Sequence, residues 1–149
     1  MAIYTSRFSN PELKSCKYTA IQISTGKPRW KLGYPLSGEI KSLAPYGVFN
    51  KFTGDEFNAE YIKRLESYGV NKIMNDLQKY GDCGKDVVLL CFEDITKPGQ
   101  TCHRAIFSDW WLKKTGVKIT ELYDPSHDDI DGSPNKNDAQ GKPGQLSLL

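Results

Sequence analysis

The stretch that decides the fold is D-V-V-L-L-C-F at residues 86–92, in which Val87 to Leu90 form an unbroken apolar run. Such runs are typical of a parallel strand that is covered on both of its faces, because neither side of the strand then needs polar residues. We therefore predict a central strand over residues 86–92.

Three other segments predict strands that would flank this one. Residues 2–6 form a short segment with bulky side chains at Ile3 and Tyr4, and residues 17–24 alternate apolar and polar side chains. Residues 117–122 form the last predicted strand. Residues 31–52 mix Gly, Pro and aromatic residues, and they predict only a helical turn at 39–43.

Helix signals fill the intervals between the predicted strands. A capping-box spacing at Thr53 predicts a helix from about Gly54 to Gly69, and a second helix follows and ends at Gly81. Thr101 is the predicted N-cap of a further helix that runs to about residue 114.

The order of these elements predicts an α/β fold. A strand, a helix and a strand joined at this length form a right-handed parallel crossover. We therefore expect a three-layer architecture: a mostly parallel sheet of about four strands, with helices on both faces.

The composition divides the chain into three parts. Residues 1–123 form the predicted domain, residues 124–144 a polar linker, and residues 145–149 a short apolar tail. From residue 124 onward there are five Asp and two Lys, so the formal net charge of +2 leaves the first part with an excess of five positive charges. The linker has too few apolar residues to offset the entropy of folding.

Composition also excludes some classes of protein. Hydrophobic residues make up 38% of the chain, yet no stretch approaches the roughly 20 apolar residues that span a bilayer. The first residues lack the features of a secretory signal. The four cysteines are irregularly spaced, which argues against a disulfide framework. We expect a cytoplasmic protein, with its thiols mostly reduced and with no membrane partner.

The candidate catalytic site is predicted where the central strand ends and the next helix begins. Cys91 and Glu93 lie at the carboxyl end of that strand, and Cys102, His103 and Arg104 lie in the first turn of the helix. Ligands of open parallel sheets bind beyond the carboxyl ends of the strands. A helix start also favours an anion and lowers the pKa of a thiol.

Three interpretations of this cluster stay open. The cysteines could be buried for packing while the charged residues pair with each other. Cys91, Cys102, His103 and Glu93 could ligate a metal such as zinc, although the spacing lacks a C-x2-C knuckle. We favour the third interpretation, a site for a phosphate-bearing or otherwise anionic ligand, and we predict neither a metal nor a cofactor.

The C-x-E motif at Cys91 and the C-H-R motif at Cys102 together resemble the signature of an uncharacterised family, domain-of-unknown-function family 488. The similarity covers most of residues 2–122. It implies a compact three-layer α/β fold with a site at these positions, and it implies no settled activity. Many members read V-D-V-R where this chain reads I-Q-I-S at residues 21–24, so roles that rest on those charged groups do not transfer.

Two other groups of residues are candidate ligand contacts. They are the end of the first strand and the basic loop after the second: Thr5, Ser6 and Arg7, with Lys27 and Arg29. The first group could line the same pocket or serve in a turn. The second group lies beside Trp30, so phosphate binding with base stacking is one interpretation, and a solvated loop with Trp30 packed inward is the other.

The tail resembles the peptide with which bacterial replication and repair proteins dock on the sliding clamp. Gln145 would hydrogen-bond at the edge of the clamp groove, and Leu146, Leu148 and Leu149 would fill it. Phe is commoner than Leu at the last position, so the resemblance implies weak binding. The alternative is a chance apolar end to a disordered tail.

The sequence thus predicts one of two functions. The first is an enzyme that acts on nucleotides or nucleic acid and is brought to DNA by its tail. The second is a non-catalytic module that binds nucleic acid or another anionic ligand. Chemical activation of Glu93 or of a cysteine would distinguish the enzyme from the module.

Overall fold

The structure of the chain is a computed structural model that describes residues 2–49, 51–81, 84–92 and 102–127. The chain forms strands β1 to β5 at Ile3–Arg7, Tyr18–Gln22, Gly38–Glu39, Asp86–Cys91 and Thr120–Glu121. The helices α1 and α2 span Gly54–Gly81 and His103–Thr115. Short 3-10 helices span Pro11–Ser15, Lys41–Leu43 and Pro125–His127.

The five strands of the described residues belong to one parallel sheet in the order β3-β2-β4-β1-β5. The predicted α/β class and the central position of residues 86–91 are therefore confirmed. Val87, Val88, Leu89 and Leu90 are fully buried, which explains why the strand needs no polar face. The sequence predicted about four strands. The additional one is β3, which is two residues long.

The sheet is covered on both faces, but the prediction of helices on both faces is met only in part, because the two α-helices of the described residues share one face. Both α-helices pack on the face that carries Ile3, Val87 and Leu89. The opposite face carries Tyr4 and Val88, and it is covered by the first 3-10 helix together with apolar residues of the segment at 32–36.

Helix α1 changes direction at Gly69. Its φ of 83° and ψ of 162° are not helical, so the predicted end of a helix at this residue marks a real break. The two halves bury an apolar stripe, with Tyr61 and Leu65 before the break and Ile73 and Leu77 after it.

Helix α2 begins at His103 with Cys102 as its N-cap, and the predicted N-cap Thr101 lies outside the described residues. Gly116 ends the helix at φ 76° and donates its N–H to the carbonyl oxygen of Leu112 (2.8 Å). Phe107 and Trp111 fill the core, whereas Leu112 is 40% exposed.

Residues 124–127, assigned from composition to the linker, contact the domain. Nε of Arg7 donates to a carboxylate oxygen of Asp124 (2.6 Å), and residues 125–127 form the last 3-10 helix. The rest of the predicted linker and the tail at 145–149 lie outside the described residues. Of the described helices, none combines the length and the apolar composition that crossing a membrane requires.

Candidate functional site

A cavity of about 820 Å³ lies where the sequence predicted a site, at the carboxyl end of β4. Cys91 and Phe92 at the end of β4, and Cys102 and His103 at the start of α2, line it together. The end of β4 and the start of α2 therefore bring three of the five predicted catalytic residues to one place, as the parallel topology requires.

The opposite wall of the cavity comes from the start of α1 and the segment before it. Thr53, Gly54 and Asp55 line the cavity, and so do Phe49 and Lys51. The amino-terminal ends of both α-helices thus border one space, where their backbone N–H groups give a partial positive charge.

Cys91 and Cys102 both line this cavity and are bonded to each other. They form a disulfide with Sγ atoms 2.12 Å apart and Cα atoms 7.5 Å apart, and both residues are buried. This pairing differs from the expectation of reduced thiols. Cys16, by contrast, is free and exposed.

His103 is held in one orientation beside the two sulfurs. Its Nε2 lies 2.5 Å from the carbonyl oxygen of Ile23, which can only accept, so Nε2 carries the proton. Its Nδ1 is then unprotonated and lies 3.5 Å from Sγ of Cys102. Burial lowers the pKa of His103 to about 4, against the hydrogen bond to Ile23, so the imidazole is neutral near pH 7.

Arg104 lies under the cluster, not in the cavity wall. It is 1% exposed, and it donates from Nε and Nη2 to the two carboxylate oxygens of Glu121 at 3.0 and 2.8 Å. Its Nη1 donates to Sγ of Cys91 at 3.0 Å. The guanidinium therefore braces β4 and β5 from α2. The sequence missed Glu121, although its place at the end of the last predicted strand was a usable signal.

The residues that end β1 take part in internal contacts. Thr5 donates its hydroxyl to Glu121 (2.8 Å), and the amide of Asn10 donates to the hydroxyl of Ser6 (3.0 Å). Arg7 forms an ion pair with Asp124. Among the residues described, those lining the cavity include none of these three predicted ligand contacts.

The basic loop after β2 starts at the cavity and then leaves it. Thr25 lines the cavity, whereas Lys27 and Arg29 are exposed. Trp30 is 47% exposed, and its ring meets the ring of Phe92 edge-on at 5.9 Å between centroids. Trp30, which the sequence linked to base stacking, is therefore not among the residues that line the cavity, but it contacts Phe92, which is.

Five predicted functional residues lie outside the described residues: Glu93, Gln145, Leu146, Leu148 and Leu149. The sequence missed Phe49 and Lys51 as cavity residues, because they lie in the segment of mixed composition for which it predicted no regular element. Only the fold of the chain brings that segment to the end of β4.

Comparisons with protein-family models, with curated proteins and with solved structures found no match to this chain. The resemblance to domain-of-unknown-function family 488 therefore stays a prediction.

Proposed function

We propose that the cavity at the end of β4 binds a nucleotide, or a closely similar anion that carries a flat ring, and that the protein acts on it as an enzyme. The observation that carries this proposal is that the starts of α1 and α2 and a set of aromatic side chains line one cavity. Folds with parallel sheets bind such ligands at this edge.

The start of α2 is the better of the two helix ends for an anion. Its first turn contains no acidic residue, and Cys102 makes no side-chain capping hydrogen bond. The first turn of α1, by contrast, contains Asp55 and Glu56, which already offset its partial positive charge. Lys51 in the cavity wall adds a formal charge that favours phosphate.

The aromatic side chains suit a planar ring. Phe49 is 51% exposed and Phe92 is 40% exposed, and both line the cavity. Stacking of a base on an aromatic side chain contributes about 1–3 kcal/mol. A ligand with a base and a phosphate would thus reach the aromatic wall and the start of α2 in the same cavity.

The chemical groups of the proposed enzyme are Cys91, Cys102 and His103, which line the cavity together. The resemblance of the C-x-E and C-H-R motifs to those of the uncharacterised family supports the same position. A protein that acts on nucleotides or DNA would meet them in the cytoplasm, which is the compartment that we propose.

A specific observation supports the second candidate, a non-catalytic binding module. Arg104 is occupied by Glu121, and the two sulfurs are bonded to each other, so the arrangement resembles a structural brace as much as a reactive site. In that case the cavity would bind the same ligands without converting them.

We also propose that residues 145–149 dock on a bacterial sliding clamp. The Gln145-Leu146-Ser147-Leu148-Leu149 pattern and the polar composition of residues 128–144 support this proposal. Docking would hold the domain near DNA.

A ligand screen tests the proposed function. The purified full chain is incubated with mononucleotides, the matching nucleosides, and plain or base-modified oligonucleotides, with and without a reductant. We expect nucleotides to raise the melting temperature more than nucleosides do, because only nucleotides offer a phosphate to the start of α2. Chromatography of the ligands after incubation then separates the enzyme from the binding module. No shift with any compound would contradict both candidates.

A further inference from the structure

We propose that the reduced protein binds one divalent metal ion such as zinc. Its ligands are Sγ of Cys91, Sγ of Cys102 and Nδ1 of His103, and one coordination position stays open toward the cavity. The role of the ion as part of an active site rests on the proposed function. The binding of the ion does not, because it follows from the three side chains alone.

The three donor atoms are already close together. Both sulfurs and a ring nitrogen of His103 lie within 4.8 Å of one another, and all three residues are buried. Zinc–sulfur and zinc–nitrogen bonds of about 2.3 and 2.0–2.1 Å at a tetrahedral angle place sulfur and nitrogen about 3.6 Å apart. The observed distance between Sγ of Cys102 and Nδ1 of His103 is 3.5 Å.

The backbone positions of the two cysteines suit an ion between their sulfurs. Their Cα atoms are 7.5 Å apart, whereas disulfides mostly join Cα atoms about 4.4–6.8 Å apart. Two sulfurs bound to one zinc ion would lie about 3.8 Å apart, from the same bond lengths. Reduction would therefore let the sulfurs move to ligand positions while the main chain stays where it is.

The surroundings of the donors are those of metal ligands. The hydrogen bond from Nε2 of His103 to the carbonyl oxygen of Ile23 leaves the lone pair of Nδ1 on the side of the sulfurs. The contact from Nη1 of Arg104 to Sγ of Cys91 would stabilise a thiolate. Two thiolates neutralise a divalent ion, so the bound site adds no net charge to the interior.

The cavity supplies the open position. Cys91, Cys102 and His103 all line it, so an ion held by them would face the space in which we place the ligand. Three protein ligands with one free position are typical of catalytic zinc sites, while structural sites use four. Such an ion would polarise a phosphate oxygen or a water molecule in the cavity.

Binding would follow a balanced reduction. A water-soluble phosphine cleaves the Cys91–Cys102 bond: the phosphorus takes an oxygen atom from water, and the two sulfurs take the two hydrogen atoms as thiols. The metal ion then displaces the two thiol protons. In the disulfide state the sulfurs offer no thiolates, so the oxidised protein should not bind the ion at this site.

The test uses cobalt(II) as an optical probe for zinc. Full-length protein is reduced with the phosphine, freed of metal and titrated with cobalt(II), while the thiolate-to-cobalt absorption in the near ultraviolet is recorded. We expect one equivalent of cobalt per chain to saturate this absorption, and one equivalent of zinc to remove it. The oxidised protein, which has the same sequence, should show no such absorption.

Variants assign the ligands. Cys102→Ser should abolish the absorption, and His103→Gln should weaken cobalt binding by at least about tenfold. The matched control Cys16→Ser, which changes a free and exposed cysteine away from the cavity, should bind like the unaltered chain. Circular dichroism of each variant confirms that it is folded.

Three results would overturn the metal proposal: no absorption in the reduced protein, equal absorption in the oxidised protein, or full absorption in folded Cys102→Ser. Nucleotide binding is measured separately on the metal-free oxidised protein. A failure there with normal cobalt binding would count against the proposed function alone, and the reverse pattern would count against the metal site alone.

Discussion

Arg104 and Glu121 form a two-pronged ion pair, with the Nε and Nη2 atoms of the guanidinium 3.0 and 2.8 Å from the two carboxylate oxygens. The pair is asymmetric, because the Arg104 side chain is 1% exposed and the Glu121 side chain is 32% exposed. It joins the start of α2 to the edge strand β5. Arg104 is therefore a structural residue as well as a neighbour of the sulfurs.

This asymmetry predicts which of the two residues loses more unfolding free energy when it is substituted. Glu121→Gln would remove the charge of the carboxylate to which the buried guanidinium donates twice, and we expect a loss of about 1–3 kcal/mol in the free energy of unfolding. Arg104→Met should cost less, because the partly exposed carboxylate of Glu121 can turn to water. Urea unfolding of both variants measures the difference. A larger loss for Arg104→Met would show that the guanidinium is not the buried charge that dominates this pair.

His103 predicts a dependence of stability on pH. Its pKa falls from 6.5 to about 4 on folding, because burial disfavours the charged ring. Between pH 6.5 and 4 the unfolded chain binds a proton on His103 and the folded chain does not. The contribution of His103 to stability is therefore complete above pH 6.5 and decreases as the pH falls toward 4. The total loss should be about 3 kcal/mol.

The control for this prediction is His103→Gln, which keeps a donor for the carbonyl oxygen of Ile23 and cannot titrate. We expect its unfolding free energy to be nearly constant between pH 6.5 and 4.5. Asp124 affects stability only at lower pH. Burial raises its pKa, but the hydrogen bonds from Arg7 and Ser126 and the charge of Arg7 outweigh burial and lower it. The stability that this carboxylate contributes is therefore lost only when the pH falls further. Parallel pH profiles for the two proteins would refute the assignment to His103.

Gly69 predicts a purely conformational cost of substitution. A side chain there would meet no atom within 4 Å, yet its φ of 83° and ψ of 162° belong to a region that essentially only glycine occupies. Gly69→Ala should therefore lower the melting temperature, at a cost of about 1–3 kcal/mol. Gly26→Ala is the matched control, because that site is equally open and has no such φ. If both variants melt alike, the break in α1 is not required by the fold.

Much of the fold could be predicted because its signals are local. The apolar run of β4 indicates a covered parallel strand by itself, and Gly69 and Gly116 stop helices through their own backbone. Strand β3 could not be predicted, since Gly38 and Glu39 carry no pattern and pair only because β2 lies beside them.

The site shows the same division. Cys91, Cys102 and His103 could be placed together from strand and helix ends, because parallel topology brings those ends to one edge. The contact between Arg104 and Glu121 was missed, because the two residues are 17 positions apart and only the place of Glu121 in the last predicted strand pointed to it. Phe49 and Lys51 reach the cavity only through the path of an irregular segment.

The tail predicts weak binding to a sliding clamp. A synthetic peptide of residues 142–149 should bind the clamp in solution, and the same peptide with Leu148 and Leu149 changed to Ala should not, because the groove loses two apolar anchors. Affinity should be low, since ordering a free peptide costs entropy. The readout is fluorescence anisotropy of labelled peptides. Equal affinities for the two peptides would contradict the proposal and show that the apolar end of the tail arose by chance.

The proposed ligand site is tested most directly by calorimetric titration of the best nucleotide from the screen into three proteins. These are the unaltered chain, Phe92→Ala, which removes an aromatic wall of the cavity, and Lys63→Ala, which removes an exposed charge of α1 outside the cavity lining. We predict one site per chain and no change of affinity for Lys63→Ala. For Phe92→Ala we predict an affinity at least about fivefold lower, from the loss of about 1 kcal/mol or more of stacking. Equal affinities for all three folded proteins would show that the nucleotide binds elsewhere and would contradict the account.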